Sequence, residues 1–173
     1  MDPEAIVFEE PGQIIARCGP VLIWASRSKF EDAPLQRLRD ALERHAVDFP
    51  QGVALLMIAV GDGELPKPST RRRIARGLSS LGDRLQAVAA AFEGETPWLA
   101  LARATFDGIM AQLQDIAVGS GLPMRAFADR LDALVWLGGV VVGADRRPIE
   151  TDALTEVVEQ ACARVLLGGG EVV

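Results

Sequence analysis

The chain has 173 residues, with 18 Lys and Arg against 24 Asp and Glu, for a formal net charge of −6 at pH 7. That length sustains one domain-sized core and is short for two. The 49% share of hydrophobic residues excludes a disordered chain, because enough apolar surface exists to offset chain entropy. An acidic balance excludes a surface that attracts phosphate backbones or anionic lipid as a whole.

Met1-Asp-Pro-Glu carries neither the basic nor the apolar region of a secretory signal, so the sequence predicts a cytoplasmic protein. Ala5 to Glu9 reads as a short β-strand closed by the turn pair Pro11-Gly12. Gln13 to Cys18 and Val21 to Arg27, divided by Gly19-Pro20, read as two more, an antiparallel opening rich in β-branched residues. A helix begins at Asp32, a good N-cap, and carries Leu35, Leu38, Leu42 and Ala46 as one apolar stripe. His45, the sole histidine, sits on the edge of that stripe, where packing is a simpler role than catalysis.

Val53 to Val60 is a run of eight apolar residues without alternation, bounded by Gln51-Gly52 and Gly61-Asp62-Gly63. A run of that kind predicts a central strand covered on both faces. The loop Gly61 to Pro68 follows, and Ser69 or Thr70 is expected to cap a second helix with Ile74, Leu78 and Leu81 inside and Gly82 as its stop. Leu85 to Phe92 reads as a buried strand. Thr96-Pro97 opens a long helix bearing Ala102, Phe106, Ile109, Leu113 and Ile116 on one face.

Met124 to Ala128 is a short strand. Asp129 then caps a helix expected to turn Leu131, Leu134 and Val135 inward, with Gly138-Gly139 breaking it. The uncharged stretch from Ala133 to Ala144 falls well short of the roughly 20 residues that span a bilayer. A last helix from near Thr151 carries Leu154, Val157, Val158, Ala161 and Val165 at helical spacing. That stripe must bury itself, either on the domain or in a homodimer through the C-terminal helix. The order predicts an α/β fold: a mixed, mostly parallel sheet of about five to six strands, helices on both faces, and an extra C-terminal helix. The domain division follows as 1–138 with a helical extension over 139–173.

Chemical motifs are sparse. Gly61-Asp-Gly63 lacks the lysine and further glycines of a phosphate-binding or dinucleotide loop, and no nucleophile elbow occurs. Cys18 and Cys162 belong to no metal-spaced cluster and are expected as reduced thiols. No cofactor and no metal ligand set is therefore predicted, nor any nucleic-acid partner. Asp62, Glu64, Glu93, Glu95 and Asp129 fall near the carboxyl ends of the strands, where loop solubility accounts for them. Trp24, Trp98 and Trp136 are expected in the core. The polar cluster that stands out is Ser69-Thr70-Arg71-Arg72-Arg73, with Arg76 one turn on. Arginines at a helix N-terminus oppose the helix dipole, and together with a hydroxyl and free N–H groups they could bind an anion or a partner's carboxylate.

Val21-Leu-Ile-Trp24, Leu35-Gln-Arg-Leu-Arg39, Val53-Ala-Leu-Leu-Met57 and Met124 to Leu137, together with the element order, resemble the STAS domain family, in particular its bacterial SpoIIAA-like, anti-sigma-factor-antagonist branch. The likeness spans about residues 5 to 138. It implies a non-enzymatic module that binds a protein partner, the alternative being a small-molecule or lipid carrier with an apolar pocket under the helix from Pro97 to Val118. In anti-sigma antagonists a phosphorylatable serine sits in an Asp-Ser-Ser/Thr-Gly turn. No such tetrapeptide occurs between Val60 and Arg71, and Ser69 and Thr70 are the hydroxyls at the corresponding helix start.

Overall fold

A computed structural model of the chain describes residues 5–27, 32–60, 67–93, 97–116, 121–143 and 149–167. Six strands form one sheet: β1 (Ile6–Glu10), β2 (Gln13–Cys18), β3 (Val21–Ser26), β4 (Val53–Val60), β5 (Leu85–Glu93) and β6 (Met124–Phe127). Their order in the sheet is the order in the chain. β1, β2 and β3 pair antiparallel, and β3, β4, β5 and β6 pair parallel. The five helices are α1 (Asp32–Asp48), α2 (Pro68–Ser79), α3 (Pro97–Ile116), α4 (Arg130–Val140) and α5 (Thr151–Leu167). The α/β class, the mixed sheet and the added C-terminal helix are those expected from the element pattern.

The sequential strand order decides where the helices lie. Parallel strands that advance in one direction, joined by crossovers of one hand, place every crossover helix on the same face. α1, α2 and α3 accordingly share one core with Ile15, Leu22, Trp24, Leu55, Val88 and Phe92. The alternate side chains, Ile14, Ile23, Leu56, Ala89 and Phe127 among them, form a second core with α4 and α5. Register carries this alternation across the sheet: Ile23 lies beside Leu56 and Leu56 beside Ala89, while Trp24 lies beside Met57 and Met57 beside Ala90. β4 is the middle of both layers, which is why it tolerates no polar residue.

α4 departs from the expected helix in two ways. Its buried residues are Ala133, Leu134 and Leu137, followed by Val141, whereas Leu131 and Val135 are exposed. The segment is apolar on nearly every side, so several stripes of helical period could be drawn through it, and packing against β5 selects one. Nor does Gly138-Gly139 end it, since helix continues to Val140. A Cβ on Gly138 would stand 2.7 Å from Cγ2 of Thr151, so the glycine gives close passage to the first residue of α5. A boundary at 138 therefore falls inside a helix.

α5 buries Leu154, Val158, Ala161, Cys162 and Val165, and its principal neighbour is β2, followed by β3 and α4. The apolar stripe is thus covered within its own chain. Arg164 reaches Glu9 of β1 at 2.8 Å and ties the helix to the sheet edge. No helix among the described residues is long and apolar enough to cross a membrane.

Candidate functional site

α2 begins two to three residues earlier than its hydroxyls predict. Lys67 is the N-cap, with φ −59° and ψ 157°, and no side chain caps the helix. The residue before a proline is kept out of the helical region, and Pro68 is well suited to the first helical position because it lacks the N–H that would go unsatisfied. Ser69 and Thr70 therefore lie inside the first turn, not at its cap. They also part company. Thr70 is buried with Ala75 and Leu78, while Ser69 is exposed.

Helical spacing sorts the arginines in the same way. Ser69, Arg72, Arg73 and Arg76 stand at i, i+3, i+4 and i+7, one outer face, and all four are exposed. Arg71 is half-buried on another side. The structure thus unites four of the six residues marked out in sequence and turns Thr70 and Arg71 away from them. Arg72 and Arg76 have no carboxylate partner among the described residues. The first turn of α2 holds no acidic side chain to complement the helix dipole.

Beside this face, α1 and α2 part over β4 and leave a half-open cavity of about 250 Å³. Leu38, Leu42, Leu55 and Leu78 form its buried wall, and Leu35, Met57 and Ile74 are half-buried around it. Its rim is polar: Gln36 and Arg39 from α1, Arg73 and Arg76 from α2. Arg39 is held 2.8 Å from Glu43, one turn along α1, and Gln36 donates to Asp40 at 2.8 Å. Gly77 also lines the cavity, and a Cβ there would meet nothing within 4 Å. The cavity lies under α1 and α2, not under α3, where the carrier alternative places its pocket. Under α3, Ala102, Phe106 and Ile109 are buried, and Phe106 packs edge-on to Phe92 with ring centroids 5.8 Å apart.

Sequence reasoning misses the groove, because Leu35, Leu38 and Leu42 read as ordinary core. One signal is present. Gly77 interrupts an otherwise good helix former between Arg76 and Leu78, a place where glycine costs stability unless space or approach requires it.

At the carboxyl ends of the strands, Glu93 and Asp129 have structural partners. Glu93 accepts from the Arg130 guanidinium at 2.6 Å and from the Arg130 backbone N–H at 3.2 Å. Asp129 caps α4 by accepting from Leu131 N–H at 2.6 Å. Arg130 also binds Glu159 of α5 through two bonds of 2.9 Å. Burial alone would lower the Arg130 pKa, and the Glu159 hydrogen bonds with the charge of Glu93 more than offset it. Asp62, Glu64 and Glu95 lie outside the described residues, as does the Trp98 side chain.

The remaining single residues are structural. Trp24 is buried and donates its indole N–H to Gln13 Oε1 at 3.3 Å. Trp136 is half-buried against Phe127. His45 is buried, its ring tilted against Phe49 at 4.8 Å. Both cysteines are free thiols, and burial pushes Cys162 up to about 11. Among the described residues no group of three or more His, Cys, Asp or Glu is placed to hold a metal ion. Comparison with protein-family models and with curated proteins finds no match.

Proposed function

We propose that this chain is a cytoplasmic, non-enzymatic regulatory module of STAS-like, SpoIIAA-like type that acts by binding a protein partner through the outer face of α2. The observation that carries the reading is the exposed row Arg72, Arg73 and Arg76 beside an apolar groove. Interfaces combine an apolar anchor pocket with a polar rim, and arginine is enriched in them. Exposed guanidinium groups at such a rim favour carboxylates by charge and by bidentate geometry.

A pulldown from the native cytoplasm tests it, comparing the wild type with the Arg72→Gln, Arg73→Gln, Arg76→Gln triple variant. A partner retained by the wild type and lost from the variant is the expected result. Equal capture by both would remove α2 from the binding surface. The second reading is a small-molecule or lipid carrier, for which this cavity between α1 and α2 offers an apolar site other than the one expected under α3. Native mass spectrometry separates the two, since a carrier retains a ligand mass and an interaction module does not.

A further inference from the structure

The size of the groove argues about its occupant. Pockets that enclose a drug-sized ligand run to roughly 300–1,000 Å³. This cavity of about 250 Å³ is smaller and half-open. It has room for one or two large apolar side chains presented by a larger body, with the rest of that body outside. Two helices frame it at neighbouring positions, which is the geometry in which an amphipathic helix lays its apolar anchors into a groove.

Charge decides what flanks the anchors. Arg73 and Arg76 rise on the α2 side and Arg39 on the α1 side; Arg39 is shared with Glu43, and Arg73 also has an interaction within the chain. A neutral or basic segment would gain no ion pair at this rim, while a segment with carboxylates one turn from its anchors would pair with Arg76 and add to the interactions Arg73 already has. The molecule as a whole is acidic, with net charge −6, so this rim is a local inversion of its field and selects by sign against most of its own surface.

We infer that the α1–α2 groove receives an acidic amphipathic helix of a partner protein, inserting an apolar anchor over Leu55 and Met57 and pairing its carboxylates with Arg73 and Arg76. This rests on the interaction-module reading and names the partner's chemistry. The glycine at position 77 fits the same picture, since its missing side chain keeps the groove open beside the anchor.

The test is site-specific photocrosslinking of the full chain in its native cytoplasm. p-Benzoylphenylalanine replaces Gln36 at the groove or, as a comparison, Val135 on the opposite face of the sheet, and the crosslinked peptide is sequenced. Expected is an adduct from Gln36 whose peptide holds a large apolar residue with at least two Asp or Glu within one helical turn of it. A synthetic copy of that peptide should bind the wild type, about tenfold more weakly after Arg73→Glu with Arg76→Glu, and hardly at all to Gly77→Leu, which fills the groove without altering charge. Added salt should weaken the wild-type complex. A neutral or basic peptide at Gln36, a lipid or small-molecule adduct there, or undiminished binding to Gly77→Leu would overturn the inference. Protein capture at Val135 alone would overturn it and leave the interaction-module reading standing. Capture at neither position would remove both.

Discussion

His45 is 4% exposed, its ring against Phe49, and its Nε2 has no hydrogen-bond partner among the described residues. Desolvation is the largest influence and holds its pKa below the ordinary 6.5, and the nearby Arg17 charge pushes the same way. The unfolded chain therefore binds a proton at a higher pH than the folded one does. Stability from a neutral His45 is fully present above pH 6.5 and is lost as pH falls from there toward the lower folded value. Thermal melts between about pH 7.5 and 5.5 should show the wild type losing stability on acidification, while His45→Phe, which keeps a ring against Phe49, stays level. Parallel slopes for the two proteins would contradict this. Cys162 shows the same physics on a thiol. With a pKa of about 11, only about one thiol in a thousand is ionised at pH 8, so it packs as a small apolar group.

The two glycines of α4 look alike in sequence and differ entirely in surroundings. A Cβ on Gly138 would stand 2.7 Å from Thr151 Cγ2, whereas a Cβ on Gly139 would meet nothing within 4 Å. Alanine in a helix interior gains up to about 1 kcal/mol over glycine, so Gly139→Ala should raise the melting temperature. Gly138→Ala should lower it, because the clash outweighs that gain, and the loss should reverse in a Thr151→Ser background, which removes the obstructing methyl. If Gly138→Ala were stabilising in the wild type, α4 and α5 would not pass this closely. The pair also marks how far a sequence can be read here. A strand buried on both faces, such as Val53–Val60, declares itself by unbroken apolarity. A helix that is apolar nearly all round does not say which side faces in, and a Gly-Gly pair reads as a stop until its neighbour in space is known. The candidate site divides on the same ground. The arginine row is visible as local spacing, but the groove beside it belongs to two helices and a strand far apart in the chain, so only the fold assembles it.

The strand order 1 to 6 commits the crossover helices to one face and leaves the other to be covered by whatever follows β6. Without α5, the sheet face containing Ile14, Ala16, Ile23 and Ala25 would lie open to water. Leu154, Val158, Ala161, Cys162 and Val165 are each at most 2% exposed. Full burial of a Val or Leu side chain is worth about 1.5–3 kcal/mol, so Leu154, Val158 and Val165 alone represent roughly 4.5–9 kcal/mol as an upper bound. A domain is stable by only about 5–15 kcal/mol in all. The helix is thus part of the folding unit in energy as well as in contact, and a second copy could use its stripe only by first peeling it from the sheet. A chain truncated after Gly143 should lose its cooperative melt, bind a hydrophobic dye and aggregate, while the intact chain unfolds in one step. A soluble, cooperatively folded monomer after truncation would mean that β2 and β3 do not need this cover, and would restore α5 as a separable arm free to pair with another copy.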